Sequence, residues 1–471
     1  MKRSSSRFFA AFLAAILALS GTVAGVAQQP ENPVIQIGLA FDSSACETAQ
    51  LTNIVGHGFQ FGVADAQGAF TVLAATDETT VILQKSQGEN ASKFAVDAVS
   101  AASGAVLFHF DEGSERLLTV RPVAESGVSA VSQCRFGGKN DYQYQGDFRF
   151  ERIGGGNLTV VNLIALEDYI KGIVPYEMST SWPIEALKAQ SVCARTYTMC
   201  NLGRHKQYHF DLCATTDCQA YYGIGEATET TNAAVEQTRG QYAWYDGALA
   251  KTFYFSCDGG ATEDVKNVWV SDYPYLKGKV DPYEPVVMQK SPLYGWTYTF
   301  TKEELRQKVI ARGYTNCGEI KNLYVAKTTP LGNVYTITFE DVNGATYSFS
   351  KDNARTILGV KSLRFQISGS AIGGSSYPVN GTGTIPTLEG AYAIDGTGAV
   401  VPIQGAAYSI SAGGTAPLAP TIQTVPSTYT VTGDGWGHHV GMSQWGAYAM
   451  ALQGLTYQDI LNFYFTGIEI R

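Results

Sequence analysis

The sequence predicts an α+β protein with a small β-rich module near its N-terminus and a β-rich insertion near its C-terminus. Short segments of alternating polar and apolar residues fill the region 34–135. Longer helical patterns are interspersed with strands from residue 140 onward. Glycine accounts for 50 of 471 residues and clusters in turns between short apolar runs. The length predicts two to three domains of about 150 residues each.

Composition and charge argue against several classes of function. The chain has a net charge of −9 with only 16% charged residues. Residues 1–27 contain three basic and no acidic residues, so their removal leaves 30 basic against 42 acidic residues, or −12. Such acidity argues against binding to a nucleic-acid backbone. Because no Walker, HExxH or GxSxG motif occurs, nucleotide-dependent, zinc-peptidase and serine-hydrolase chemistry have no support.

The N-terminal residues predict secretion to the cell wall or medium. Basic residues precede an apolar run at 8–19, and small residues follow it up to Ala27. These are the parts of a signal peptide covering residues 1–27, with residues 28–33 as a short linker. An uncleaved anchor is the alternative, but it needs about 20 apolar residues. No other stretch reaches that length, so we expect the mature protein to work outside a membrane.

The region 34–135 shows no catalytic constellation. Its alternating segments predict strands, and one helix is predicted near 91–102. We expect this module to be a binding or spacer unit. The predicted strands cover 34–39, 58–64, 69–73, 80–84, 105–110 and 117–120.

The region 140–471 predicts a mixed domain of helices and strands. Pro183 fits the first position of a long helix because its missing N–H is not needed there. Thr456 is the expected N-cap of the last helix. Residues 369–428 contain only two charged residues among many Gly, Ser and Thr, which predicts a small β insertion. The predicted helices are 166–173, 183–199, 302–311 and 457–464, and the predicted strands are 146–153, 158–164, 240–256 and 322–350.

Glu177 is the first candidate for chemistry. It stands beside Tyr176, Met178 and Trp182. Apolar neighbours disfavour a charged carboxylate and raise its pKa, as a general acid requires. On spacing alone, Glu177 could instead cap the next helix or pair with a basic residue of that helix.

The long helix supplies two basic candidates. Lys188 and Arg195 are seven residues apart and therefore share one helix face. This pair could orient an acid or bind an anionic substrate. A solvated charged face explains the same spacing equally well.

A cluster of metal-ligating residues follows that helix. His205, His209, Cys213 and Cys218 lie within 14 residues and could supply three or four ligands to a tetrahedral zinc ion. Their spacing is not that of a common zinc finger. For a secreted protein, a local disulfide between the two cysteines is the alternative, and the spacing does not decide between them.

A glycine-rich block at 433–447 is the last candidate region. Trp436 and Trp445 offer faces on which sugar rings could stack, and His438, Ser443 and Gln444 offer hydrogen bonds. Glycines at this density let a backbone approach a ligand closely. A turn that only packs against the core is the alternative, but the Trp, His and Gln side chains favour a binding cleft.

Several of these motifs, in order, resemble the SpoIID/LytB family of stage II sporulation protein D and the amidase enhancers. The resemblance covers 141–471 apart from the insertion at 369–428. The matching segments are LEDY at 166–169, VPYEMSTSWPIEALKAQSVCARTYT at 174–198, CDGGATEDVKNVW at 257–269, YPYL at 273–276 and GWGHHVGMSQWGAYAMA at 435–451.

The resemblance implies a bacterial cell-wall protein with a SpoIID-like mixed domain. Sporulation members are lytic transglycosylases that cut peptidoglycan glycan strands, preferably strands stripped of stem peptides. The family's catalytic glutamate corresponds to Glu177. Lys188, Arg195, His438, Ser443 and Gln444 are then expected to line the cleft. The alternative is a non-catalytic glycan-binding protein of the enhancer branch, with a cell-wall amidase as its partner.

The resemblance also bears on the metal-ligating cluster. Some sporulation members carry a zinc bound by one His and two Cys, which correspond here to Cys213, Cys218 and either His205 or His209. That favours a structural zinc over a disulfide. One departure is His439, where the family usually has the second glycine of Gly-His-Gly-Val-Gly. If that position requires a positive φ, histidine is strained there.

Overall fold

The computed structural model describes residues 32–65, 69–114, 116–137, 141–288, 291–369 and 428–471, together with six short strands between 377 and 417. The predicted signal peptide at 1–27 and most of the linker at 28–33 lie outside the described residues. Most of the predicted insertion at 369–428 does so as well. Within the described part, no helix combines the length and the apolar character that crossing a bilayer requires.

The N-terminal region is built from strands, as predicted. The predicted helix near 91–102 is wrong: Val96–Ser100 is a strand whose five residues are all buried between two neighbouring strands. Valines at 96 and 99 favour this pleated, buried setting. The strands are β1 (Val34–Ala40), β2 (Thr48–Val55), β3 (Phe59–Ala64), β4 (Phe70–Thr76), β5 (Thr80–Lys85), β6 (Val96–Ser100), β7 (Val106–Phe110), β8 (Leu118–Pro122) and β9 (Val131–Phe136).

Two large sheets join this region to the rest of the chain. The next strands are β10 (Tyr142–Tyr144), β11 (Asp147–Glu151), β12 (Thr159–Ala165) and β13 (Leu212–Cys213). The seven-stranded sheet has the order β13-β1-β12-β11-β8-β3-β4, and the six-stranded sheet has the order β10-β9-β2-β5-β6-β7. Strands from both sides of the predicted boundary at 135–140 therefore share both sheets.

Four helices pack around a central one, α2. Almost every side chain of α2 is buried, because α1, α3, α8 and α9 surround it. Pro183 is its N-cap, one position before the predicted place. The helices are α1 (Leu166–Glu177), α2 (Ile184–Cys200), α3 (Glu229–Gln237), α4 (Val265–Val268), α5 (Glu284–Met288), α6 (Lys302–Ala311), α7 (Asp352–Thr356), α8 (Gln444–Leu452) and α9 (Tyr457–Tyr464).

The remaining strands form smaller sheets. Strands β22 to β27 pair as three two-stranded units inside the predicted insertion, which lies between the neighbouring strands β21 and β28. The bounds are β14 (Ala243–Tyr245), β15 (Ala248–Leu249), β16 (Tyr254–Phe255), β17 (Trp296–Thr301), β18 (Ile320–Thr328), β19 (Val334–Asp341), β20 (Thr346–Ser350), β21 (Arg364–Ser368), β22 (Tyr377–Val379), β23 (Gly383–Ile385), β24 (Tyr392–Ile394), β25 (Val400–Pro402), β26 (Tyr408–Ser411), β27 (Gly414–Pro417), β28 (Thr428–Asp434), β29 (Met442–Ser443) and β30 (Glu469–Ile470).

A buried ion pair connects the two helices that lead to the site. The Arg195 guanidinium on α2 donates to both carboxylate oxygens of Glu167 on α1, at 2.9 and 2.7 Å. Neither side chain is exposed. The same guanidinium donates to the carbonyl oxygens of Val235 and Gln241. Arg195 is therefore part of the core, and the structure does not place it in a substrate cleft.

Removing one partner of this pair is expected to destabilise the fold strongly. Glu167→Ala leaves the Arg195 charge buried and unpaired, which costs about 3–5 kcal/mol of the free energy of unfolding. Urea unfolding checks this value. Glu236→Ala is the control, because Glu236 is 44% exposed where it pairs with Arg239 and Lys171, and each such pair contributes about 1 kcal/mol or less. Equal losses for the two variants would contradict the prediction.

Candidate active site

Glu177 ends helix α1 and faces a cavity. The helix extends past the predicted end at residue 173, with Pro175 inside its last turn. It stops after Glu177 because Met178 adopts an extended backbone as the C-cap. The Glu177 side chain thereby lines a cavity of about 700 Å³.

Three donors from separate parts of the chain reach the Glu177 carboxylate. The backbone N–H of Ala220 and the hydroxyl of Tyr254 donate to Oε1, at 3.2 and 3.3 Å. The side-chain amide of Gln444 donates to Oε2 at 3.4 Å. Tyr254 and Gln444 come together because β16 and β29 are parallel neighbours, with Tyr254 opposite Met442. A pair of short strands thus brings together two donors that are far apart in sequence.

The surroundings of Glu177 act on its pKa in two directions. Burial raises the pKa above its ordinary value because it penalises the charged form. The hydrogen bonds from Ala220, Gln444 and Tyr254 oppose that rise, because they stabilise the carboxylate. Burial is the larger effect. This environment favours a protonated acid and also stabilises the anion left after the proton is donated.

Aromatic side chains form much of the cavity wall. Trp436 is 50% exposed, and Lys361 lies over its ring with Nζ 5.0 Å from the ring centroid. Trp445 instead packs against Trp182 and Tyr448, so it does not line the cavity. The lining residues are Glu177, Tyr197, Arg204, Thr216, Asp217, Cys218, Gln219, Phe253, Tyr254, Phe255, Ser256, Trp269, Ser271, Trp436, Gly437, His438 and Gln444.

The two adjacent histidines of the glycine-rich block differ in position. His438 lines the cavity, and burial lowers its pKa to about 4, so the ring is neutral at pH 7. Its Nδ1 accepts the N–H of Val440 at 3.1 Å. His439 is fully buried and has a φ of 63°. The position where the family usually has glycine therefore does require a positive φ, and histidine is tolerated there better than a β-branched residue.

Two other predicted lining residues lie outside the cavity. Lys188 pairs with Glu185 at 2.7 Å and lies over the ring of Tyr457. Ser443 is fully buried and donates to Glu284. Of the five predicted binding residues, the structure brings His438 and Gln444 to Glu177's cavity and leaves Lys188, Arg195 and Ser443 outside it.

The metal-ligating residues separate into two places. Nε2 of His205 lies 3.3 Å from Sγ of Cys218, and the ligand atoms of His205, Cys213, Asp217 and Cys218 all lie within 4.8 Å of one another. His209 is directed elsewhere, with Nδ1 2.6 Å from Glu151. The spatial grouping therefore contains His205 and leaves His209 out.

The chemistry of this group fits a zinc ion. Cys213 and Cys218 are both free thiols, so the structure does not contain the alternative disulfide. A hydrogen bond from Cys218 lowers the pKa of Cys213 and raises that of Cys218, so one thiolate is already favoured. Nδ1 of His205 is buried and has no hydrogen-bond partner among the described residues. Cys218 and Asp217 also line the cavity, so the group forms part of its wall.

Sequence reasoning missed several cavity residues. Trp269 is the last residue of the matching segment at 257–269, Tyr254 lies just before that segment, and Asp217 stands beside Cys218. That segment was the available signal for the first two. No local pattern marks Ala220, whose contribution is a backbone N–H.

Comparison with known proteins identifies relatives along most of the chain. A family model described as "SpoIID: Stage II sporulation protein" matches residues 154–245. The amidase enhancer of Bacillus subtilis is 32% identical over 319 residues, which cover 64% of this chain and 40% of that protein. An uncharacterised protein of Brachyspira hyodysenteriae is 30% identical over 70% of this chain and 73% of its own length. Stage II sporulation protein D of B. subtilis is 28% identical over 67% of this chain and 76% of its own length.

Removal of the Tyr254 hydroxyl tests the description of the carboxylate. In Tyr254→Phe the carboxylate loses one donor, so the pKa of Glu177 is expected to rise further. Titration of the Glu177 side chain by ¹³C NMR measures this, with the resonance assigned by its absence in Glu177→Gln. Tyr197→Phe is the matched control, because Tyr197 lines the same cavity but its hydroxyl does not bond Glu177. An unchanged pKa in Tyr254→Phe would show that the bond is not formed in solution.

Proposed function

The chain belongs to the SpoIID family, and we propose that it is a secreted peptidoglycan lytic transglycosylase with Glu177 as its acid and base. The observation that carries the proposal is one carboxylate, with a pKa raised by burial and three donors on its oxygens, in a cavity with aromatic walls. The substrate is the glycan strand, preferably one stripped of stem peptides. The biological setting is cell-wall remodelling or sporulation.

The reaction needs one carboxylate because the substrate supplies its own nucleophile. Protonated Glu177 donates its proton to the oxygen that links N-acetylmuramic acid to N-acetylglucosamine, and the bond from that oxygen to C1 breaks. The resulting carboxylate takes the proton of the muramic acid C6 hydroxyl, and the C6 oxygen forms the new bond to C1. The products are a 1,6-anhydro sugar and a free hydroxyl, and Glu177 ends protonated. The second carboxylate of ordinary glycosidases is not required.

The neighbours of Glu177 fit both halves of this cycle. Tyr254, Gln444 and the N–H of Ala220 stabilise the anion after proton donation. Trp436 offers a half-exposed face against which a sugar ring can stack. The other carboxylate among the lining residues, Asp217, is paired with Arg204 at 3.0 Å and belongs to the metal-ligating group. Glu177 is therefore the better acid.

A second function fits the same cavity. The amidase enhancer is among the relatives, although this chain spans only 40% of that protein's length. A protein of this kind would bind glycan through the same aromatic walls without cutting it, and would act on a separate cell-wall amidase. The two functions predict different products from the same experiment.

Product analysis with Glu177→Gln distinguishes them. Mature protein is expected to digest stripped glycan strands to products with 1,6-anhydro ends, detected by mass spectrometry. Glu177→Gln loses the exchangeable proton, so the rate should fall by at least about 10²- to 10⁴-fold. Glu226→Gln is the control, because Glu226 is exposed and does not line the cavity. Glycan binding by the wild type without any anhydro product would support the enhancer function instead.

We further propose that His205, Cys213 and Cys218 hold a structural zinc, with Asp217 beside them. When bound, the ion would fix the loop that forms one cavity wall, while proton transfer stays with Glu177. Elemental analysis is expected to find about one zinc per chain. His205→Ala should lose the metal, whereas His209→Ala should retain it because His209 contacts Glu151 instead. Metal-free wild-type protein, or equal loss in both variants, would contradict the proposal.

A further inference from the structure

The two side-chain donors of Glu177 depend on one short pair of strands. Tyr254 begins β16, and Gln444 directly follows β29. These strands are only two residues long. Such a short pairing cannot fix two side chains by itself, so other contacts must hold the strands at their C-terminal ends.

A single buried carboxylate, Glu284, contacts the chain just beyond the end of β16. The N–H groups of Asp258 and Gly259 donate to it at 2.9 to 3.0 Å. The thiol of Cys257 donates to it at 3.1 Å. Glu284 itself is fully buried, so water does not compete for these bonds.

The same carboxylate contacts the end of β29. The Ser443 hydroxyl donates to Oε2 of Glu284. Ser443 Oγ also accepts the N–H of Gly446 at 3.1 Å, which makes Ser443 the N-cap of helix α8. Gln444 is the first residue of that helix. The direction of the Gln444 side chain towards Glu177 thus depends on the cap that Glu284 holds.

Glu284 is held in place from its own side as well. Oδ1 of Asp281 accepts the N–H of Glu284 at 3.1 Å, and Oδ2 accepts the hydroxyl of Tyr464 at 2.5 Å. The Tyr294 hydroxyl donates to Glu284 at 3.0 Å. No Lys, Arg or His among the described residues pairs with Glu284, so its polar contacts are hydrogen bonds from backbone N–H, hydroxyl and thiol groups.

The nearby carboxyl of Asp258 does not make this cluster a cation site. Across Asp258, Asp281 and Glu284, five of the six carboxylate oxygens accept hydrogen bonds from protein groups. Oδ2 of Asp258 is the exception. Burial raises the pKa of Asp258, which favours the neutral form of its carboxyl over a charged metal ligand.

We propose that Glu284 is a positioning residue of the site. Its hydrogen bonds hold the ends of β16 and β29 together and thereby direct the side chains of Tyr254 and Gln444 towards Glu177. Glu284 touches neither the cavity nor the reacting atoms. Its effect on turnover rests on the proposed lytic activity. Its effect on the proton affinity of Glu177 does not, because that property is measured without substrate.

The test is Glu284→Gln, read out on Glu177. An amide in place of the carboxylate offers one acceptor oxygen and presents N–H groups to donors, so the strand ends separate. With Tyr254 and Gln444 displaced, the ¹³C NMR titration of Glu177 should move to higher pH. If the enzyme is active, kcat should fall about tenfold or more while KM changes little. If Glu284 only stabilised the fold, the variant would unfold more easily, but the pKa of Glu177 in the molecules that remain folded would not change.

Two milder variants keep the proposal falsifiable if Glu284→Gln does not fold. Ser443→Ala and Tyr294→Phe each remove one hydroxyl that donates to Glu284, but only Ser443 is next in sequence to a Glu177 donor, Gln444. Ser443→Ala should raise the pKa of Glu177, and Tyr294→Phe should change it less, because Tyr294 helps to hold Glu284 but contacts neither strand. Equal shifts in both, or none in either, would overturn the positioning role. A shifted titration without any lytic product would keep this proposal and reject the catalytic function.

Discussion

The acid and base role that we propose for Glu177 requires surroundings that tolerate both the protonated and the charged carboxyl, and the contacts of Glu177 meet this requirement. Burial alone would keep the proton on Glu177 and oppose its donation, because burial penalises the anion. Donors alone would keep it ionised. Burial has the larger effect on the pKa of Glu177, and three long hydrogen bonds reduce the rise that burial causes. Distances above 3 Å suit bonds that strengthen when the charge develops.

The three donors must come from different places, because no single element can surround the end of a helix. Ala220 follows the metal-ligating loop, Tyr254 lies on β16, and Gln444 begins α8. The central helix α2 brings them together, since it packs against both α1 and α8. The buried pair of Arg195 and Glu167 then fixes α2 against α1. Arg195, which the sequence offered as a substrate-binding residue, therefore stabilises the packing of the helices that carry Glu177 and its neighbours.

The family motif singled out Glu177, whereas residue spacing did not predict the side chains that surround it. Glu177 stands out because the residues around it match a family motif. Spacing predicted one shared helix face for Lys188 and Arg195, but helical periodicity does not say which side chains meet the core, and Arg195 is the one that does. The sequence also left His205 and His209 as equal candidates for the histidine ligand. The structure distinguishes them, because a turn lies between them and His209 adopts a left-handed backbone. Contacts between distant strands, such as Tyr254 with Glu177, leave no local pattern.

The N-terminal strands are more than a spacer for this site. Strand β1 pairs in parallel with β13, so that Gly38 lies opposite Cys213. A Cβ at Gly38 would come within 2.3 Å of the Phe210 ring, so only glycine lets this loop lie so close to the sheet. The end of the loop from His205 to Cys218, at 216–218, lines the cavity and leads to Ala220, which donates to Glu177. The position of the hydrogen bond from Ala220 to Glu177 therefore depends on a strand that precedes the first of the matching motifs, at 166–169, by more than a hundred residues.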